Sequence, residues 1–432
     1  MSEHQPAAGQ ADTAPADQQK PQSPERAADS QLASLEKPST FTRIAGGNIG
    51  LSLGAALAAF ILGGLLIAIT DPATQQAASY FFARPMDTIS AGWAAAYESY
   101  LALVQGAIYN PNGRSFLQQI RPITETLTVA TPLIFAGLAV ALSFRAGLFN
   151  IGAQGQLILG AIVSGWVGLN ANLPLPLMIP LILLGGLLGG ALWGGIIGLL
   201  KAKTGAHEVI LSIMMNYIAA NLLVYLLKTP LLQREGSSNP ISEKLADSAV
   251  FPQILGPSFR LHLGFIIALI AVVFVSWLLN RSTIGFRLRA VGANHHAAQT
   301  AGISVASGYM IVMAISGALA GLAGTAQVAG TEKVLTTGIA GTLGFDAITV
   351  ALLGRSTPWG TFFAALLFGA FRAGGVSMQV ATGTSIDIVL VLQALIVLFI
   401  AAPPLVRALF RLPDPSGSSQ KKKSAKKKAV EA

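Results

Sequence analysis

Apolar residues in this chain come in long, nearly unbroken blocks. Neither the two-residue alternation of a half-buried strand nor the three-and-four spacing of a surface helix organises them. A helix needs about 20 apolar residues, rising 1.5 Å each, to cross the hydrocarbon of a bilayer. On that measure the blocks predict ten spans, at residues 48–70, 121–144, 148–169, 175–200, 207–228, 260–280, 304–328, 340–354, 358–377 and 385–406. The third and eighth are short and rich in glycine, the pattern of a broken or re-entrant helix. The fold class expected is all-α, a polytopic membrane protein. Its domains are a disordered cytoplasmic arm over 1–44, a membrane domain over 45–408 and a basic disordered tail over 409–432. The arm is rich in Pro, Gln, Ala and Asp and lacks the basic start and apolar core of a secretory signal.

Within the blocks, small residues recur with helical spacing. Gly186, Gly190, Gly194 and Gly198 share one face of the fourth predicted span, and Gly317 and Gly321 share one in the seventh. Such stripes let helix backbones approach closely in lipid, so they predict packing rather than chemistry.

Composition points the same way. Hydrophobic residues make up 53% of the chain and charged residues 11%, with a mean hydropathy of +0.61. Soluble chains average about 25% charged, so this one has too few charges to cover a soluble surface. Cysteine is absent, which excludes disulfides, thiolate metal sites and cysteine catalysis. The net charge of +9 is unevenly placed. With ten spans and an inner N-terminus, the inside segments collect more than twice as many Lys and Arg as the outside ones. Both termini are therefore expected in the cytoplasm. The tail lysines Lys421 to Lys423 and Lys426 to Lys428 have no interleaved aromatic residues. They read as a segment facing anionic membrane lipid, with no nucleic-acid partner.

Two groups of residues bear on function. Asn150, Gln154 and Gln156 lie among glycines in the weak third span, Asn216 lies in the fifth, and Asp346 lies in the weak eighth. Amides and carboxylates in lipid need partners. These five are candidates to line a translocation pathway for a neutral solute, and interhelical hydrogen bonding is the alternative for each. For Asp346 that alternative is an ion pair with Arg372 or Lys333. Phe149-Asn150-Ile151 and Phe345-Asp346-Ala347 also share a loose pattern five spans apart, which hints at an inverted repeat. The second group is cytoplasmic. After the basic stretch Arg281–Arg289, residues 294–301 are Ala-rich, with Asn294 suited to cap the start of a short helix and Gly302 its end. That predicts a rigid knob between two spans, open to a cytosolic partner.

This knob resembles the coupling loop of ABC importer permeases. The residues that carry the likeness are Gly292, Asn294, Ala297, Ala298, Ala301, Gly302 and Ile303, with His295 and His296 between them. His296 stands where many importers have Glu. That is usual in the branch that serves branched-chain amino acids, ribose and nucleosides. Three further stretches resemble the simple-sugar and nucleoside permeases of that branch. They are Gly147–Ala161 (GLFNIGAQGQLILGA), His207–Ala219 (HEVILSIMMNYIA) and Gly344–Arg355 (GFDAITVALLGR), the last followed by Pro358 and Gly360. The resemblance implies a half-pore that carries no cofactor and catalyses no covalent chemistry. Its implied partners are a cytosolic ABC ATPase docked on Gly292 to Gly302, a second permease (a copy or a relative), and an extracytoplasmic solute-binding lipoprotein. The implied solute is a nucleoside, then a simple sugar.

Other chemistries lack their residues. No Gly-Lys dipeptide exists for a P-loop, so any ATP hydrolysis belongs to another chain. His207-Glu208 is not followed by a second His at the zinc-protease spacing, and adjacent His295 and His296 do not share a helix face. No metal site is expected. The competing class is a secondary transporter or channel that works without ATP, for which the few intramembrane carboxylates would serve as a relay.

Overall fold

The computed structural model describes residues 48–402; the predicted arm over 1–44 and the lysine tail lie outside them. Among the described residues there is no strand, only the isolated bridges Ile241–Thr336 and Gln253–His262. The helices are α1 (Asn48–Thr70), α2 (Pro72–Ala78), α3 (Pro85–Ala107), α4 (Phe116–Arg145), α5 (Ala153–Asn170), α6 (Leu175–Thr204) and α7 (Glu208–Leu226). They continue as α8 (Gly264–Arg281), α9 (Thr283–Ala293), α10 (His295–Thr300), α11 (Val305–Thr325), α12 (Leu343–Leu353), α13 (Pro358–Thr382) and α14 (Ile386–Ala401).

Six of these, α4, α6, α7, α8, α11 (with its extension to Glu332) and α13, are long and apolar enough to cross a membrane. Residues Gly54–Thr70 of α1 and the following α2, bent by 71° to each other, are apolar enough together to make a broken seventh span or a re-entrant loop. Of the ten predicted blocks, the two marked as short or broken are indeed the shortened ones. The third block shrinks to the 18-residue α5, because residues 148–152 form a turn before it. The eighth keeps only the 11 residues of α12, about 16 Å of helix. The sixth begins at Gly264 rather than at residue 260. Two stretches that lie between the predicted spans are helical: residues 71–120 contain α2 and α3, and the basic stretch 281–289 lies largely in α9, capped by Ser282 accepting from the Gly285 amide. Helix α3 escaped the hydropathy pattern because Asp87, Ser99, Glu98 and Gln105 dilute it. It is held by packing instead: Thr126 Oγ1 donates to the Ala107 carbonyl at 2.7 Å, and Tyr100 OH donates to the Phe60 carbonyl at 2.6 Å.

The centre of the bundle follows from the glycine stripes. A Cβ on Gly190 would strike the Gly317 carbonyl, one on Gly321 the Gly186 carbonyl, and one on Gly194 the Met313 carbonyl. So α6 and α11 run backbone against backbone: the stripes predicted close packing, and the fold makes each the other's partner. Helix α5 closes on the same seam, with Gly160 against Gly321 and Gly324 against Leu157. Burial separates inner from outer elements: 83% of the apolar stretch of α4 is buried against 28% for α7. Exposed Ile210, Met214, Tyr217 and Ile218 on α7 form a surface suited to lipid. At its end α11 widens into a π-helical stretch, Ala326–Glu332. The long connection after α7 lies across this end, with Phe251 N donating to Ala329 O at 2.9 Å and Leu245 N to Lys333 O at 3.0 Å.

Candidate translocation and coupling sites

The five intramembrane polar residues fall into two groups. Asn150, Gln156 and Asn216 build a lock under α5. Asn150 is fully buried; its amide donates to Ser316 Oγ at 2.7 Å and to Gln156 Oε1 at 3.0 Å, and its carbonyl accepts from the Gly152 amide at 3.1 Å and from Gln156 Nε2 at 3.2 Å. Ser316 passes its own hydrogen to the Ala139 carbonyl at 2.6 Å, so α4, α5 and α11 are tied at one point. Asn216 accepts from the Gly155 amide at 2.8 Å and donates to the Ile151 carbonyl at 3.0 Å. The 150–155 turn leaves amides unpaired at the start of α5 and a free carbonyl at Ile151, and side-chain amides satisfy them.

Gln154 and Asp346 lie together elsewhere. Gln154 Nε2 donates to the Gly341 carbonyl and its Oε1 accepts from the Gly344 amide, both at 2.8 Å. Thr342, at the start of α12, makes no side-chain cap of its own, so Gln154 caps that helix from the first turn of α5. Asp346, also in the first turn of α12, accepts from Thr342 Oγ1 at 2.9 Å and pairs with the Arg372 guanidinium of α13. Of the two partners open to Asp346, the structure selects Arg372. Two helix starts thus meet, and a carboxylate offsets their partial positive charge. The cluster is not sealed: the side chains of Asp346 and Arg372 keep 19% and 26% exposure, and Phe345 beside them is open. Partly open charges inside a membrane domain face water or a protein partner, because hydrocarbon satisfies neither. Of the residues with the loose shared pattern, Phe149–Ile151 lie in the turn before α5 and Phe345–Ala347 lie inside α12.

The knob over 294–302 has the predicted form. Asn294 Oδ1 accepts from the His296 and Ala297 amides at 3.0 and 3.1 Å, α10 follows, and Gly302 ends it at φ +77°. Only Ala298 of this helix is buried; His295, His296 and Ala297 are exposed. Gly292 at its base is pressed on the turn after α4, where a Cβ would meet the Arg145 carbonyl. Arg145 Nε donates in turn to the Ser356 carbonyl at 2.8 Å, between α12 and α13. Sequence reading missed this hub, for which the one local signal is the isolated Gly147 at φ +75°, facing Gly292.

Residues 123–401 match the family of the branched-chain amino acid transport system permease component. The chain belongs to this family. Among its relatives the permease is 40% identical over 290 residues to the guanosine ABC transporter permease protein NupP of Bacillus subtilis, covering 67% of this chain and 83% of that one. It is 37% identical over 288 residues to the glucose ABC transporter permease protein TsgB13 of Haloferax volcanii, covering 64% and 75%. It is also 30% identical over 255 residues to a second guanosine permease protein of B. subtilis, NupQ, covering 57% and 79%. No solved structure matches the permease. As an ABC permease it is a transport subunit, a multi-pass membrane protein without the ATPase; the family implies a separate ATPase and a solute-binding protein as partners. Among the described residues no three His, Asp or Glu side chains group as metal ligands.

Proposed function

We propose that this permease imports nucleosides, with simple sugars as the next class, and that Gly292, Asn294, His295, His296, Ala297, Ala298 and Gly302 form the coupling element that receives the ATPase. The observation that carries the reading is α10 itself: a capped, exposed helix with a single buried residue, at the position of the coupling-loop likeness. The solute class rests on relatives named for guanosine and glucose. The two guanosine permease proteins of one organism favour a related, non-identical chain as the second half of the pore. Both termini lie in the cytoplasm of the inner membrane, the basic tail against anionic lipid. Solute arrives on a lipoprotein receptor outside.

The pathway wall in this reading is the open cluster of Gln154, Asp346 and Arg372, while Asn150, Gln156 and Asn216 position it from beneath. ATPase closure pushes on α10. The push passes through Gly292 to the Arg145–Gly147 turn and through Arg145 to the 355–356 turn, so the elements leading into α5 and out of α12 move together. The test is uptake by the whole importer in proteoliposomes, with ATPase, both permeases and receptor present. Labelled guanosine should accumulate only with ATP inside the cytosolic compartment. Uptake driven by an ion gradient without ATP overturns the coupling assignment. Uptake of amino acids in place of nucleosides and sugars overturns the solute class.

A further inference from the structure

A cavity of about 390 Å³ opens between α4, α13 and the segment before α8, with Asn110, Gln118, Arg121, Glu125, Arg260 and Arg372 in its walls. Its volume lies in the range of small-molecule sites, about 300–1,000 Å³. Its charges are largely matched. Arg372 pairs with Asp346, which stands behind it, and Arg260 Nη1 pairs with Glu125 Oε2 at 3.2 Å. Arg121 has no ion pair among the described residues, so the site offers one spare cation rather than a strongly basic pocket. Glu125 Oε1 is buried and has no hydrogen-bond partner among the described residues. A buried carboxylate oxygen without a donor is costly, about 1–3 kcal/mol or more, and calls for one to arrive.

We infer that this cavity is a solute subsite for the vicinal hydroxyls of a sugar ring, with Glu125 as their acceptor. Bringing Oε1 to the cavity turns the carboxylate out of its pairing with Arg260, so the ring's hydroxyls supply the donor to Oε1 while the released guanidinium bonds to the ring's oxygens. The guanidinium and amide groups in the walls bond to the ring and hydroxyl oxygens. The shared chemistry is a polyhydroxylated ring, found in a ribonucleoside and in a free hexose alike. Arg372 joins the cavity to the Asp346 cluster, so a ring bound here sits against the proposed pathway wall. The inference rests on the import reading above.

The natural absence of cysteine makes the test clean. Val376 lines the cavity and is exposed, so Val376→Cys in the full importer is labelled by a membrane-impermeant methanethiosulfonate. Saturating guanosine or glucose should slow labelling several-fold, and 2′,3′-dideoxyguanosine should not. The nucleoside and hexose arms separate the two sources of the ring. A second variant reads selectivity. Glu125→Gln should lower the preference for guanosine over its 2′,3′-dideoxy analogue by about tenfold or more, the effect of losing one charge-assisted hydrogen bond. A ratio of uptakes is indifferent to how much complex assembles. Protection by empty receptor alone would make the cavity a protein-docking surface and overturn the inference. So would protection by guanosine monophosphate in place of guanosine, or an unchanged ratio in Glu125→Gln. A wild-type importer that carries neither nucleoside nor hexose removes the import reading and this inference with it. A transporting wild type with no protection removes the inference alone.

Discussion

Single residues here divide by whether a neighbour can yield. A methyl added at Gly190 meets the Gly317 carbonyl and the Gly321 backbone, which are fixed; one added at Gly195, on the same helix, meets only Ala314 Cβ at 4.0 Å. Gly190→Ala is therefore expected to cost about 1–3 kcal/mol, as overpacking of a tight interface does, while Gly195→Ala is close to neutral. Thermal melting of the two purified variants side by side measures the difference, and equal melting temperatures would remove the glycine seam as the centre of packing. Asn150 is the polar counterpart. Asn150→Leu leaves Gln156 and the Gly152 amide without their partner, at about 1–3 kcal/mol for each buried group left unpaired, while Ser316 loses a donor and keeps its bond to the Ala139 carbonyl. Melting should fall together with uptake. A variant that melts like wild type but imports poorly would return Asn150 to the pathway wall. The sequence showed that this amide needed a partner; which partner it takes depends on Ser316, 166 positions away.

At the scale of elements, local signals were sufficient where the element is local. Helix α10 was legible residue by residue, since Asn294 and Gly302 act on backbone groups within a few positions of themselves. Its ends are also where it is testable. Asn294→Ala removes a cap worth about 0.5–2 kcal/mol. Gly302→Asp places a branched charge at φ +77°, a left-handed conformation disfavoured by about 1–2 kcal/mol outside glycine. Both should reduce stimulation of ATP hydrolysis by loaded receptor while the chain still inserts; full stimulation in either variant would detach α10 from coupling. Helix α3 was not legible, because its polar residues lowered the apolar average below that of a span. What stabilises it is contact with α1, α4, α13 and the turn after α13, where Ser99 Oγ lies within 2.9 Å of Thr384 Oγ1, and no window along the sequence contains those partners. The short α5 and α12 were visible only as weakness in the pattern. Their joint, Gln154 capping a helix that starts 189 residues later, belongs to the fold.

For the molecule as a whole, the ion pair of Asp346 with Arg372 is the bond that spans the weak eighth block and the ninth. Arg372→Ala leaves the partly open carboxylate of Asp346 without its charged partner inside the membrane domain. Loss of assembly or of uptake is expected, with partial recovery in the exchange Asp346→Arg with Arg372→Asp; no recovery would mean that each residue has a separate duty. Topology has an equally direct check in a chain without native thiols. Cysteine at Ser237 should react with an impermeant maleimide from outside, and cysteine at Thr300 only after the cytosolic side is opened. Reaction of Thr300→Cys from outside would invert the proposed orientation and detach the ATPase from α10.

The sequence by itself determined what depends on composition and on near neighbours: a lipid-embedded helical bundle, the glycine stripes that fit α6 and α11 for close packing, and a capped knob whose motifs carry the family likeness. These follow from the transfer of long apolar blocks to hydrocarbon and from backbone groups satisfied within one turn. Only the tertiary structure decided which apolar blocks have the length to cross, that a diluted polar stretch is the helix α3, that Asp346 pairs with Arg372 rather than Lys333, and that Glu125 stands in a cavity with one oxygen unserved. Each of those outcomes is fixed by contact between residues far apart in the chain, and a contact exists only once the bundle has closed around it.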